Sequence, residues 1–173
     1  MTESILPAAL VDRAREVIER NRALGRRVTV AESCTGGLVA AALTEIPGSS
    51  EVFDRGFVTY SNEAKHDLLR VSDDVLDTFG AVSVAVAWSM AQGALKASDA
   101  DVAVAITGIA GPAGGSEKKP VGTVVFARAE RDADPNEPIA DKRHFGDLGR
   151  GGVRLQAALC ALELLLPEPT PAP

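Results

Sequence analysis

A three-layer α/β/α sandwich with a mixed, mostly parallel sheet is the fold class this sequence predicts, and three observations carry it. Short β-branched apolar runs alternate with longer amphipathic stretches, which is the pattern of strands linked by helices. The most continuous of those runs, Val102 to Ile106, is apolar throughout, as a strand covered on both faces must be. Aromatic residues make up 4% of the 173 while hydrophobic residues make up 46%, so Ala, Val, Leu and Ile must build the core. That mixture suits a helix-covered sheet better than an aromatic-rich β-sandwich.

Residues 7–24 read as the first helix. Pro7 fits a first turn, Leu10, Val11, Ala14, Val17, Ile18 and Leu24 share one stripe, and Gly25 can cap the end. Val28 to Ala31 is a buried strand that runs into the turn Glu32-Ser33-Cys34-Thr35-Gly36-Gly37 and a helix from Leu38 to Glu45. Pro47-Gly48-Ser49-Ser50 is turn chemistry, and Gly56 to Tyr60 reads as the second strand. Ser61-Asn62 caps a helix through Leu69, Ser72-Asp73-Asp74 starts another that Gly80 ends, and Ser83 opens a longer one to about Ala97. Val102 to Ile106 takes the centre of the sheet. Val121 to Arg128 and Ile139 to Phe145, joined by the polar turn Asp132–Pro138, read as antiparallel strands. A final helix covers about Arg150 to Leu166. The expectation is one domain over residues 1–166, followed by a disordered proline-rich tail over 167–173.

The charge balance is 18 − 24 = −6. Without a concentrated basic patch, such a chain repels phosphate backbones, so no nucleic-acid partner is expected. No apolar run approaches the ~18 residues of a membrane span, and MTESILPAAL lacks the basic and apolar regions of a signal peptide. No membrane partner is expected. Cys34 and Cys160 read as reduced thiols of a cytoplasmic protein.

Ligands of open α/β sheets bind at the carboxyl ends of strands, and three polar or glycine-rich segments fall there. In the first, Ser33 sits at a strand end, where N–H groups of Thr35, Gly36 and Gly37 suit an anion or oxyanion. The plainer alternative is that Ser33 or Thr35 only caps the helix. In the second, Tyr60 and Lys65 are spaced to remove the proton of a nearby Ser, as in Ser–Lys hydrolases, although a lone Lys is more often a surface residue. The third, Thr107-Gly108 through Gly114-Gly115-Ser116, is either a flexible loop or a backbone cradle for phosphate, with Lys118 or Lys119 nearby. It has neither a Walker pattern nor a GxGxxG fingerprint. Cys34 is a rival nucleophile with no motif histidine to activate it. His66 and His144 read as surface or packing residues, and no metal-ligand spacing occurs.

AESCTGG at 31–37, PGSS at 47–50, GFVTYSNEAK at 56–65, GALKAS at 93–98 and ITGIAGPAGGSEKKPVGTV at 106–124 resemble the CinA C-terminal-domain family, bacterial nicotinamide-mononucleotide (NMN) deamidases also described as competence/damage-inducible proteins. The resemblance implies a three-layer fold and hydrolysis of the NMN carboxamide to nicotinate mononucleotide and ammonia, in pyridine-nucleotide recycling. It implies no cofactor and no metal, with NMN as the small-molecule partner. The oligomeric state stays open, a homo-oligomer being one option. It also implies the stand-alone form, without the pyrophosphatase-like domain of two-domain relatives. Carried over, the catalytic Ser, Tyr and Lys fall on Ser33, Tyr60 and Lys65. Ser50 takes the place of the second motif serine and Thr107 that of the loop hydroxyl, while Cys34 to Gly37, Gly108, Gly114 and Gly115 contribute backbone to the site. Family members commonly carry Gly-Asp-Arg before a Val-Arg pair. Here Leu148 stands where that Arg would follow, so the phosphate contact is assigned to Arg150, which keeps its spacing to Val153-Arg154.

The mechanism expected from these parts is acyl transfer to Ser33, with Lys65 as base and Tyr60 as relay. The rival reading is a non-catalytic module that binds nucleotides or protein partners in competence or DNA damage.

Overall fold

A computed structural model describes residues 4–168. Five strands form one sheet in the order β2-β1-β3-β4-β5, with β1 at Val28–Glu32, β2 at Phe53–Val58, β3 at Val102–Gly108, β4 at Thr123–Glu130 and β5 at Ile139–His144. β1 pairs parallel with β2 and β3, whereas β4 runs antiparallel to both β3 and β5. Only β4 is therefore reversed. β3 is the central strand, as its unbroken apolar run predicts.

Six helices cover the sheet: α1 at Ala8–Ala23, α2 at Leu38–Thr44, α3 at Asn62–Leu69, α4 at Asp73–Phe79, α5 at Val84–Lys96 and α6 at Gly149–Leu165. Strand alternation sends Val28, Val30, Val104, Ile106 and Phe126 into a core with α1, α2 and α6. The same strands send Ala31, Ala103, Ala105, Val125 and Ala127 to the other face, under α5 and the ends of α3 and α4. The second face is lined largely by alanine, so α5 lies close to the sheet.

Two expectations shift. The second strand begins at Phe53 and ends at Val58, three residues before its expected start and two before its expected end. β2 is an edge strand, where the polar Asp54 and Arg55 pair at 2.7 Å, so its polar residues disguise it. The expected tail also starts too early. Pro167 is buried and its carbonyl accepts a hydrogen bond from Arg20 at 3.3 Å, while residues 169–173 lie outside the described residues.

α5 also fixes α3. A Cβ on Gly93 would lie 2.1 Å from the Leu69 carbonyl oxygen, so only glycine permits this approach. Overpacking of this kind costs about 1–3 kcal/mol, and each kcal/mol moves Tm by about 2–4 °C in a domain of this size. Gly93→Ala is therefore expected to lower Tm by roughly 2–12 °C in a calorimetric scan; an unchanged Tm would show that α3 and α5 are not in this contact.

Candidate active site

Glu32 is the last residue of β1 and is fully buried. The chain then turns through Ser33 to Gly37 into α2, whose N-cap, Gly37, has φ of 93° and supplies no side-chain cap. Glu32 does the capping from below. Its carboxylate accepts N–H bonds from Gly37 at 3.1 Å, Val39 at 3.2 Å and Ala40 at 2.9 Å. The positive end of α2 thus faces a buried carboxylate and is not open to an outside anion. From the other side Arg154 of α6 donates to the Cys34 carbonyl at 3.1 Å and the Thr35 carbonyl at 3.0 Å.

The expectation that Gly36 and Gly37 offer free N–H groups is corrected here. Gly36 N–H donates to the Ser33 carbonyl at 3.1 Å and Gly37 N–H to Glu32. Among the described residues, only Cys34 and Thr35 keep turn N–H groups without a partner.

Lys65 is brought to the turn by α3, whose N-cap Ser61 accepts from the Ala64 N–H. Its side chain is 1% exposed. Nζ lies 3.1 Å from Ser33 Oγ and donates to the Thr59 carbonyl at 2.8 Å, with the Tyr60 and Ser61 carbonyls at 3.4 Å. No carboxylate pairs with it among the described residues. Desolvation of the ammonium holds its pKa below the ordinary 10.5. A neutral amine next to a serine hydroxyl can accept its proton.

Tyr60 does not stand between them. Because β2 ends at Val58, the carbonyls of Thr59 and Tyr60 turn toward Lys65, while the phenol accepts from Arg150 Nη2 at 2.9 Å. It is 61% exposed and bonds to neither Ser33 nor Lys65. The relay expected of Tyr60 is therefore replaced by direct contact of Lys65 with Ser33.

These groups line a cleft of about 270 Å³ that also takes in Ala81, Val82, Thr107, Gly108, Ala110 and Gly114. Thr107 is a wall residue: its hydroxyl donates to the Ala81 carbonyl at 2.8 Å. Gly115 is outside the lining, and a Cβ there would lie 2.7 Å from the Val121 nitrogen, where the loop returns. Arg150 sits on the rim and donates to the Gly111 carbonyl at 2.8 Å. Lys119 is turned away, donating to the Phe79 carbonyl at 2.9 Å. Ser50 is not brought to this cleft. It lies in the 3-10 turn Ser49–Glu51 that precedes β2, at the opposite edge of the sheet. Larger hollows of about 580 and 540 Å³ lie beside α5 and between α1 and α6, and neither places a nucleophile against a base. Among the described residues, no group of three or more His, Cys, Asp or Glu could hold a metal, and no helix is long and apolar enough to cross a membrane.

Sequence reasoning missed Glu32 and gave Arg154 no role. The signal for Arg154 was its i+4 spacing from Arg150, which puts both on one helix face.

A βα domain with a buried lysine against a serine at the carboxyl edge of its sheet defines a candidate hydrolase of the Ser–Lys kind. The comparisons place it further. The family model for the CinA C-terminal domain matches residues 11–168, and the chain belongs to that family. It is 56% identical over 148 residues to a nicotinamide-nucleotide amidohydrolase PncC of Enterobacter agglomerans, covering 85% of this chain and 87% of that one. The Escherichia coli K12 protein of the same name is 52% identical, covering 90% and 92%. A longer CinA-like protein of Syntrophobacter fumaroxidans is 52% identical over 85% of this chain, which spans 34% of its length. Among solved structures, the competence/damage inducible protein CihA of Agrobacterium tumefaciens superposes with a TM-score of 0.89 at 51% identity, covering 94% of this chain and 97% of that one.

The geometry also distinguishes Ser33 from Cys34. Burial pushes the Cys34 thiol up to about 11, so at neutral pH it is a protonated thiol rather than a nucleophile. Iodoacetamide at pH 7.5 is therefore expected to alkylate Cys34 in the folded protein far more slowly than in urea, with the rate rising toward pH 11, followed by peptide mass spectrometry. Rapid alkylation at pH 7.5 would mark a thiolate and reopen the choice of nucleophile.

Proposed function

We propose that the protein hydrolyses the carboxamide of NMN to nicotinate mononucleotide and ammonia, with Ser33 as nucleophile and Lys65 as the proton carrier. The observation that carries the reading is the 3.1 Å contact of the buried Lys65 Nζ with Ser33 Oγ inside the cleft. It stands in a chain 52% and 56% identical to proteins named nicotinamide-nucleotide amidohydrolase.

In this scheme neutral Lys65 accepts the Ser33 hydroxyl proton as Oγ attacks the carboxamide carbon. The carbonyl oxygen becomes an oxyanion facing the Cys34 N–H on the cleft wall. As the tetrahedral centre collapses, the C–N bond breaks, and the Lys65 ammonium returns its proton to the departing ammonia. Water then attacks the Ser33 ester with Lys65 again as base. This releases the carboxylate and restores the hydroxyl. The three backbone carbonyls around Nζ hold the amine in place and stabilise its protonated form during each transfer. In this scheme Tyr60 holds Arg150 over the mouth, and the guanidinium meets the substrate phosphate there. For an acidic chain this recognition must be local.

Four outcomes are expected when ammonia release from NMN is measured. Ser33→Ala abolishes turnover while leaving NMN binding measurable, and EDTA leaves the wild-type rate unchanged. Full activity in Ser33→Ala, or loss on chelation restored by zinc, would remove the scheme. The pH dependence follows from the direction of the Lys65 shift. The base is the neutral amine, so kcat/KM rises with pH until Lys65 is deprotonated and levels off below the ordinary 10.5; an acid limb that persists in Lys65→Met would belong to another group. Arg150→Ala is expected to raise KM roughly 10- to 100-fold with kcat little changed, the loss of one charge-assisted contact of ~1.5–3 kcal/mol. An equal fall in kcat would assign Arg150 to the chemistry instead.

A further inference from the structure

We propose that Arg154 and Glu32 are positioning residues that clamp the nucleophile turn so that the free N–H of Cys34, on the cleft wall, is held for the oxyanion. The inference rests on the amidohydrolase reading above.

The turn from Ser33 to Gly37 has two conflicting tasks. It must start α2, which needs acceptors for the first N–H groups of the helix, and it must leave donors unused for substrate. Glu32 resolves the first task. By accepting from Gly37, Val39 and Ala40 it satisfies the start of α2 with a group from the strand beneath, so no turn residue has to fold back as a cap.

Arg154 resolves the second through peptide planarity. In a trans peptide the C=O and the next N–H point in opposite directions, so fixing one fixes the other. Arg154 Nε holds the Cys34 carbonyl, which sends the Thr35 N–H away from α6. Its Nη2 holds the Thr35 carbonyl, which sets the Gly36 N–H, and that group donates to the Ser33 carbonyl. The Ser33 carbonyl shares its plane with the Cys34 N–H, which is thereby aimed as well. One planar guanidinium therefore orients three consecutive peptide units, a task a single ammonium cannot reproduce. The side chain comes from the far end of the sequence, 119 and 120 residues from the carbonyls it holds, and no local turn preference would replace it.

The test compares variants on two ligands. Removing one oxyanion donor costs about 10²–10³ in kcat. Arg154→Ala leaves the Cys34 donor in place but unheld, so kcat is expected to fall roughly 10- to 100-fold, with KM for NMN within about twofold. Arg154→Lys, able to reach one carbonyl, falls between. The aldehyde analogue of NMN adds Ser33 Oγ to its carbonyl carbon and places an oxygen where the oxyanion forms. Its affinity is expected to fall with kcat/KM in Arg154→Ala, while affinity for the product nicotinate mononucleotide is unchanged. A merely structural role would weaken both ligands alike. If Arg154→Ala does not fold, Glu32→Gln, with one acceptor oxygen for three amides, is read on the same constants with the same expectation. Wild-type kcat in the folded variant, or equal losses for aldehyde and product, overturns the proposal. Ser33→Ala in the same series separates the two claims: an active Ser33→Ala removes the amidohydrolase reading, whereas a dead Ser33→Ala beside a wild-type-like Arg154→Ala removes only the clamp.

Discussion

A lysine buried to 1% exposure without a carboxylate partner is costly, and the site is organised around that cost. Among the described residues, three backbone carbonyls and one serine hydroxyl are the hydrogen-bond partners of the Lys65 nitrogen. A carboxylate there would fix the ammonium and remove the base. Carbonyls satisfy the donors without adding charge, so burial still favours the neutral amine. The supports follow from this arrangement. β2 must end at Val58 to turn its carbonyls inward, α3 must start at once with a Ser61 cap, and Gly93 must let α5 hold the far end of α3.

The same economy of charge applies to the nucleophile turn. The net charge is −6, yet the turn is flanked by one buried anion and one cation, each spent on backbone. Glu32 neutralises the start of α2, and Arg154 holds two carbonyls. Besides Lys65, the cation lining the cleft is Arg150, parked on Tyr60 and Gly111 at the rim. Charge is thereby divided between framework, chemistry and recognition. That division explains how an acidic domain can offer a phosphate a local welcome.

Much of the architecture could be read from the chain because it rests on local patterns. The apolar run at Val102 to Ile106 located the central strand, and Ser61, Ser72 and Ser83 each cap the helix they were expected to start. Ser33 and Lys65 could be paired because each lies beside a recognisable strand end. Other features depended on contacts that spacing does not encode. Glu32 read as the first residue of a polar turn, since a fully buried carboxylate is rare and nothing nearby signalled its three amide partners. The Tyr60 phenol depended on where an edge strand stops, and the polar Asp54-Arg55 pair hid that strand's beginning. Ser50 matched a motif, but the turn it occupies leads into β2 from the opposite edge.

The central claim is that burial keeps Lys65 available as a neutral base, and the amine itself can report it. Titration of the Lys65 side-chain signals by heteronuclear NMR, assigned with Lys65→Arg, measures its pKa in the folded protein without substrate. The account predicts a midpoint below the ordinary 10.5. A midpoint at or above that value would mean that the surrounding carbonyls hold Lys65 as an ammonium, and Ser33 would need another base.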